Sequence, residues 1–123
     1  MRSRNAVLQA LHLLKALDAR ISVNEVIAFL YAAENEGLTV QEMAHVAGLT
    51  QSTASRSLRA LGQKDSAWSH SPALGLVEAY LNPSDGRSHV IQLTALGREV
   101  RDRLDAIIRQ SATIAGSQSS RAA

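Results

Sequence analysis

Apolar residues fall at helical spacing in five stretches of the chain and alternate with polar ones in two. From Arg4 to Ala19, Val7, Leu11 and Leu14 share one face, and Leu8, Leu13 and Leu17 widen it past half the circumference. A helix this broadly apolar needs two neighbours; the second is either the rest of the same core or another copy of the chain. Val23, Val26, Ile27, Leu30 and Tyr31 mark a second helix reaching about Glu36. It is entered through the capping box Ser22-Val23-Asn24-Glu25, and Gly37 is its expected stop. Thr39-Val40-Gln41-Glu42 is a second capping box, opening a short helix whose inner face is Val40, Met43, Ala44 and Ala47. Gly48 ends that helix, and Thr50 caps a fourth one running from Gln51 to about Gln63 with Ala54, Leu58 and Leu61 inward. Only Gly48 and Leu49 lie between the two helices, a link so short that it forces the sharp corner of a helix-turn-helix. Small Ala44 and Ala54 allow a close crossing there, and Leu49 plugs the corner.

The periodicity breaks over "GQKDSAWSHSP", Gly62 to Pro72, a polar loop with Trp68 at its middle. Leu76 to Leu81 reads as a strand, "NPSDG" (Asn82 to Gly86) as a turn, and Ser88 to Leu93 as the return strand. On that strand His89, Ile91 and Leu93 share a face, and Arg87 sits beside the hairpin tip. Thr94 caps a last helix with the stripe Leu96, Val100, Leu104, Ile107, Ile108 and Ile114; Gly116 is its expected end, leaving 117–123 as a frayed tail. No internal repeat or linker divides the chain, so residues 1–123 read as one domain. The class is α+β: mainly α with a small β-hairpin, in the order of a winged helix-turn-helix.

The fourth helix raises the functional question. Its thin apolar stripe leaves Gln51, Ser52, Thr53, Ser55, Arg56 and Arg59 facing out, crowded toward the end that Thr50 caps. The second helix of a helix-turn-helix lies in the DNA major groove with its early residues at base edges. Short hydroxyls and amides permit close approach, and arginine pairs bidentately with guanine or grips phosphate. The alternative is an ordinary solvated face.

Charge sharpens this picture where the net value of +2 does not. Between Ser22 and Leu49 the charges are Glu25, Glu34, Glu36 and Glu42; from Thr50 to Lys64 they are Arg56, Arg59 and Lys64. An acidic block is followed by a basic one, which is either the footprint of a nucleic-acid partner or accidental clustering on a solvated face. Cysteine is absent, which excludes disulfides, thiol catalysis and thiolate zinc sites. His12, His45, His70 and His89 stand too far apart for metal-ligand spacing, and no phosphate loop or nucleophile elbow appears. No enzyme, cofactor or metal is expected. Gln9, His12 and Lys15 interrupt the first apolar segment, so neither a secretory core nor a membrane span is read there, and a cytoplasmic location is expected.

Three segments resemble the MarR-type (multiple antibiotic resistance) regulators. "LTVQEMAHVAGLTQSTASRSLRAL", Leu38 to Leu61, looks like that family's helix-turn-helix, and "GLVE", Gly75 to Glu78, is similar to its first wing strand. "NPSDGRSHVIQLTALGREV", Asn82 to Val100, resembles its wing and the start of its final helix. The resemblance implies a homodimer, most often a repressor, that binds double-stranded DNA. A palindromic operator with half-sites ~34–36 Å apart suits such a dimer. The resemblance further implies that Arg87 enters the minor groove with Asp85 helping to orient it, and that the first and last helices (4–19 and 95–115) form the dimer interface. Many members release DNA on binding a small-molecule effector, for which no motif here specifies residues. Two departures stand out: the link holding Lys64, Trp68, His70 and Pro72 is longer than the family pattern, and both ends are shorter. Trp68 either anchors the longer loop on the core or, with His70, forms a ligand or partner site. A protein-interaction module, or an architectural or segregation module that coats DNA, uses the same surface and remains the alternative.

Overall fold

The computed structural model describes the backbone from Arg2 to Ala122 and the side chains of residues 4–110. Its elements are α1 (Arg2–Leu17), α2 (Val23–Glu34), α3 (Val40–Ala47), α4 (Gln51–Ala60), β1 (Val77–Leu81), β2 (His89–Leu93) and α5 (Ala95–Ala122). Helices dominate, and the two strands form one antiparallel hairpin, the winged-helix arrangement of the α+β class.

Local chemistry sets most of the boundaries. Both capping boxes form: Ser22 Oγ accepts from the Glu25 amide and Glu25 accepts from the Ser22 amide, and Thr39 and Glu42 do the same. Thr50 Oγ1 accepts from the Thr53 amide at 3.1 Å and starts α4. Each such cap contributes about 1 kcal/mol. Gly48 takes the left-handed conformation that ends α3 (φ 68°), and the Leu49 amide reaches back to Ala44 O at 3.0 Å.

Helix α2 ends earlier than the sequence pattern suggests. Asn35 terminates it, its side chain donating to Tyr31 O at 2.8 Å and its amide to Ala32 O at 3.3 Å. Gly37 belongs instead to the wing: its amide donates to Ile91 O at 2.8 Å, and a bridge joins Thr39 to Val90. Helix α4 also stops sooner, at Ala60. Helix α5 runs on past Gly116, where a stop and a tail over 117–123 were expected. One glycine inside a helix costs only about 1 kcal/mol relative to alanine, too little to end it unaided. Ala123 and the side chain of Ile114 lie outside the described residues.

The core gathers Leu14 of α1, Phe29 of α2, Met43 of α3, Leu58 and Leu61 from α4 and its cap, Ile91 and Leu93 of β2, and Val100 and Leu104 of α5. Ala44 and Ala54 are buried where α3 crosses α4, which is why neither position holds a large side chain. Of the expected α1 stripe only Leu14 is buried; Val7, Leu8 and Leu11 are exposed, though α1 packs against α5.

Candidate nucleic-acid interface

Helix α4 rests on Ala54, Ser57, Leu58 and Ala60, all buried. That fixes which side chains are left outside. Thr50, Gln51, Ser52 and Arg56 are exposed, whereas Thr53, Ser55 and Arg59 are half-buried. The Thr50 hydroxyl, besides capping the helix, donates to Thr53 Oγ1 at 2.9 Å, so these two threonines hold each other in fixed rotamers. Thr53, Arg56 and Ser57 line one wall of a polar cleft of about 290 Å³, with Ser22, Asn24 and Glu25 of the α2 entrance opposite.

The two arginines of α4, which the sequence pattern places together, part company. Arg56 makes no hydrogen bond or ion pair among the described residues, and it faces solvent. Arg59 is tied down: its Nη1 donates to Trp68 O at 3.2 Å, and its guanidinium carbon lies 5.5 Å from the centre of the indole. The long loop folds back over the end of α4 and claims this side chain.

That loop also satisfies the helix end. The carbonyl of Arg59 accepts from the amides of Gly62 (3.1 Å) and His70 (2.9 Å); that of Ala60 accepts from Leu74 (3.0 Å). Leu61 O accepts from Leu76 (2.8 Å) and Val77 (3.1 Å). Helix-end carbonyls left without partners are costly when water is excluded, and here the loop supplies the donors. Trp68 is half-buried and packs on the core, while His70 is exposed and contributes its backbone amide.

The wing is built differently. Pairing runs from Val77↔Leu93 to Leu81↔His89. At the tip, Asp85 Oδ1 accepts from the amides of Arg87 (2.9 Å) and Ser88 (3.1 Å), and its Oδ2 accepts from the Ser88 hydroxyl (2.9 Å). Asn82 Oδ1 accepts from the Ser84 amide at 3.0 Å, and Gly86 supplies positive φ (66°). The amide of Arg87 and then the amide and hydroxyl of Ser88 hold the Asp85 carboxyl below the usual aspartate range. Asp85 therefore orients the backbone of Arg87 and not its guanidinium, which projects from an exposed residue with no partner among the described residues.

At the base of the wing, Thr94 Oγ1 donates to Gly75 O at 2.6 Å and accepts from the Gly97 amide at 3.0 Å. A Cβ on Gly97 would collide with Leu76 O. Glu36 Oε1 accepts from the Leu93 amide at 2.8 Å and from Arg98 at 3.1 Å. Three of the four glutamates of the acidic block thus have structural tasks: Glu25 and Glu42 cap helices, and Glu36 joins the α2–α3 turn to β2 and α5. The sequence pattern marks Asn82 as a turn residue, Ser88 as the start of the return strand and Glu36 as a helix-end member of the acidic block, and gives none of these side chains a partner. Their partners are set by the folded turn and, for Glu36, by strand and helix residues far along the chain.

Among the described residues no group of three or more His, Cys, Asp and Glu could hold a metal ion, and no helix is long and apolar enough to cross a membrane.

The fold is the MarR-type winged helix, shared with solved structures over nearly the whole chain. S. aureus MepR in complex with DNA matches 98% of this chain and 89% of its own, at 20% identity and a TM-score of 0.72. A MarR-family transcriptional regulator from Silicibacter pomeroyi matches over 90% and 66% of the two chains, at 26% identity and a TM-score of 0.58. The PcaV transcriptional regulator from Streptomyces coelicolor, in complex with its natural ligand, matches over 87% and 71%, at 23% identity and a TM-score of 0.56. No protein-family model matches the sequence, and no curated protein matches it.

Proposed function

We propose that this chain is a transcriptional regulator that binds double-stranded DNA as a homodimer, a repressor acting in the cytoplasm. Helix α4 enters the major groove, and Arg87 of the wing reaches the flanking minor groove, where narrow A·T-rich segments concentrate negative potential. The observation that carries this reading is that Arg56 and Arg87 are both exposed and without a partner among the described residues. Arg56 stands among exposed short polar side chains on the second helix of the helix-turn-helix, and Arg87 at a tip whose backbone Asp85 holds rigid. That MepR, a protein of the same fold, is solved on DNA supports it.

The dimer reading draws on α1 and α5. Val7, Leu8 and Leu11 of α1 and Ile108 of α5 are exposed, on two helices that pack against each other. A second copy would cover such a surface, and a two-fold dimer matches a palindromic operator. A small-molecule effector is suggested by PcaV alone. An apolar cleft of about 290 Å³ between α1 and α2, lined by Leu11, Leu14, Ile21 and Val26 among others, suits only a small one.

The test is binding to the DNA upstream of the chain's own reading frame, with random duplex as control, followed by footprinting. Arg56→Ala is expected to relax sequence preference at one base pair of each half-site and to weaken binding about tenfold, the worth of a good base contact. Arg87→Ala is expected to weaken binding most where the flanks are A·T-rich. Equal loss on every sequence would place Arg87 on phosphate instead. No binding even at low salt would overturn the DNA reading and favour a protein-interaction module.

A further inference from the structure

The longer loop does more than connect α4 to the wing. Its single indole lies between the two elements assigned to DNA. On one side is Arg59 in the last turn of α4, held by the 3.2 Å bond to Trp68 O and stacked 5.5 Å from the ring centre. On the other side is His89, whose imidazole centre is 5.9 Å from the indole with the planes tilted by 34°. His89 opens β2 and pairs with Leu81 at the far end of the hairpin ladder, two positions after Arg87. The other bonds joining this stretch to the end of α4 are backbone ones: the amides of His70 and Leu74 meet the carbonyls of Arg59 and Ala60, and those of Leu76 and Val77 meet Leu61 O, next to the Val77–Leu93 pair that starts the ladder at its other end. β2 is also tied to the α2–α3 turn, by the Thr39–Val90 bridge and the bonds of Ile91 with Gly37 and Leu38, whereas the indole links the tip end of the ladder to α4 itself.

The loop is built to hold the ring in place. A Cβ on Gly62 would strike the Ser69 hydroxyl, so the loop lies directly on the helix end. The Trp68 amide donates to Ser66 Oγ at 3.3 Å and the Ser69 amide to Ser66 O at 3.1 Å, a turn that fixes the residue on both sides. The ring is packed on the core and half-buried, which sets it against the notion of a free docking tryptophan.

We propose that Trp68 is a positioning residue for DNA recognition: the stack Arg59–Trp68–His89 is a strut that fixes the wing tip relative to helix α4, so that the major-groove and minor-groove contacts are made together. This rests on the DNA reading above and deepens it. Aromatic contacts at this separation and an arginine over an indole are each individually modest. Their value here is pre-organisation, because a wing that must be ordered on binding loses affinity to that ordering.

The experiment has two arms. Trp68 is the only tryptophan, so its emission reports the strut without DNA. His89→Ala and Arg59→Met are each expected to red-shift that emission as one side of the ring opens to water; an unchanged spectrum in both would show that the ring contacts neither, and would overturn the strut. The second arm is a double-mutant cycle on operator affinity with Trp68→Ala, Trp68→Phe and Arg87→Ala. Trp68→Ala is expected to weaken binding about tenfold in the parent and hardly at all in the Arg87→Ala background, the non-additivity that marks coupled residues. Trp68→Phe keeps a ring in the stack and recovers most of the affinity, which separates positioning from loss of fold. Equal losses from Trp68→Ala with and without Arg87 would overturn the proposal, since Trp68 would then act independently of the wing. If the parent binds no DNA, the DNA reading fails, and this role with it, while the emission arm still reports whether the stack forms.

Discussion

Helix α4 and the wing tip each offer an exposed arginine, but they are held by unlike means. Beneath α4 lie Ala54, Leu58 and Leu61, all buried, the two leucines within the common core. Beneath the tip there is no core at all: residues 83–87 are exposed, and the turn is held by hydrogen bonds from Asn82, Asp85 and Ser88. Side-chain presentation on α4 is therefore tied to global stability, whereas presentation at the tip is a local property that can fail while the fold survives. A change under α4 should lower stability and DNA binding together, and a change at the tip should separate them.

The largest expected effect lies under α4. Leu58 is completely buried, so Leu58→Ala removes apolar contact and leaves a cavity, costing about 2–5 kcal/mol. The urea midpoint is expected to fall steeply, with DNA binding lost in proportion to the unfolded fraction. Full stability with lost binding would break the contrast, because the helix would then be controlled locally like the tip.

A second test falls at the junction between the two regimes. Alanine is the better helix former than glycine by about 1 kcal/mol, so propensity alone says Gly97→Ala stabilises α5. Packing says the opposite: the new Cβ would run into Leu76 O and sit 3.3 Å from Leu93 Cβ. Backbone cannot yield as a flexible side chain does, so overpacking of about 1–3 kcal/mol is expected to win. A lowered Tm confirms that the wing base is clamped to α5; a raised one would show that the base is as free as the tip.

The same division explains what the sequence made legible. Helix-turn-helix and caps were readable because their partners lie three residues apart: Ser22 with Glu25, Thr39 with Glu42, Thr50 with Thr53. The wing turn was readable from Asn82, Pro83, Asp85 and Gly86, since turn chemistry is local too. What periodicity could not show was the fate of Arg59, which shares the outward pattern of Arg56 but meets Trp68 only because the loop returns. Glu36 is a like case: its partners Leu93 and Arg98 are 57 and 62 residues away. Gly37, read as a helix stop, pairs with Ile91 for the same reason.

The smallest effect on stability, and the sharpest test of the contrast, is at Asp85. Asp85→Ala removes the acceptor for the Arg87 and Ser88 amides from an exposed turn, so the urea midpoint is expected to stay put while operator affinity falls toward that of Arg87→Ala. The pH dependence has a definite sign. Because those amides and the Ser88 hydroxyl lower the carboxyl's pKa in the folded turn, its contribution to tip order is complete above the unfolded value of about 3.9 and vanishes as pH falls through the lower folded value. The amide resonances of Arg87 and Ser88 should therefore titrate together, with a midpoint below about 3.9. In Asp85→Asn the oxygen can still accept but no longer ionises, and this titration should be absent. A midpoint at or above the unfolded value would mean that Asp85 does not hold the tip, and that Arg87 is presented by the strands alone.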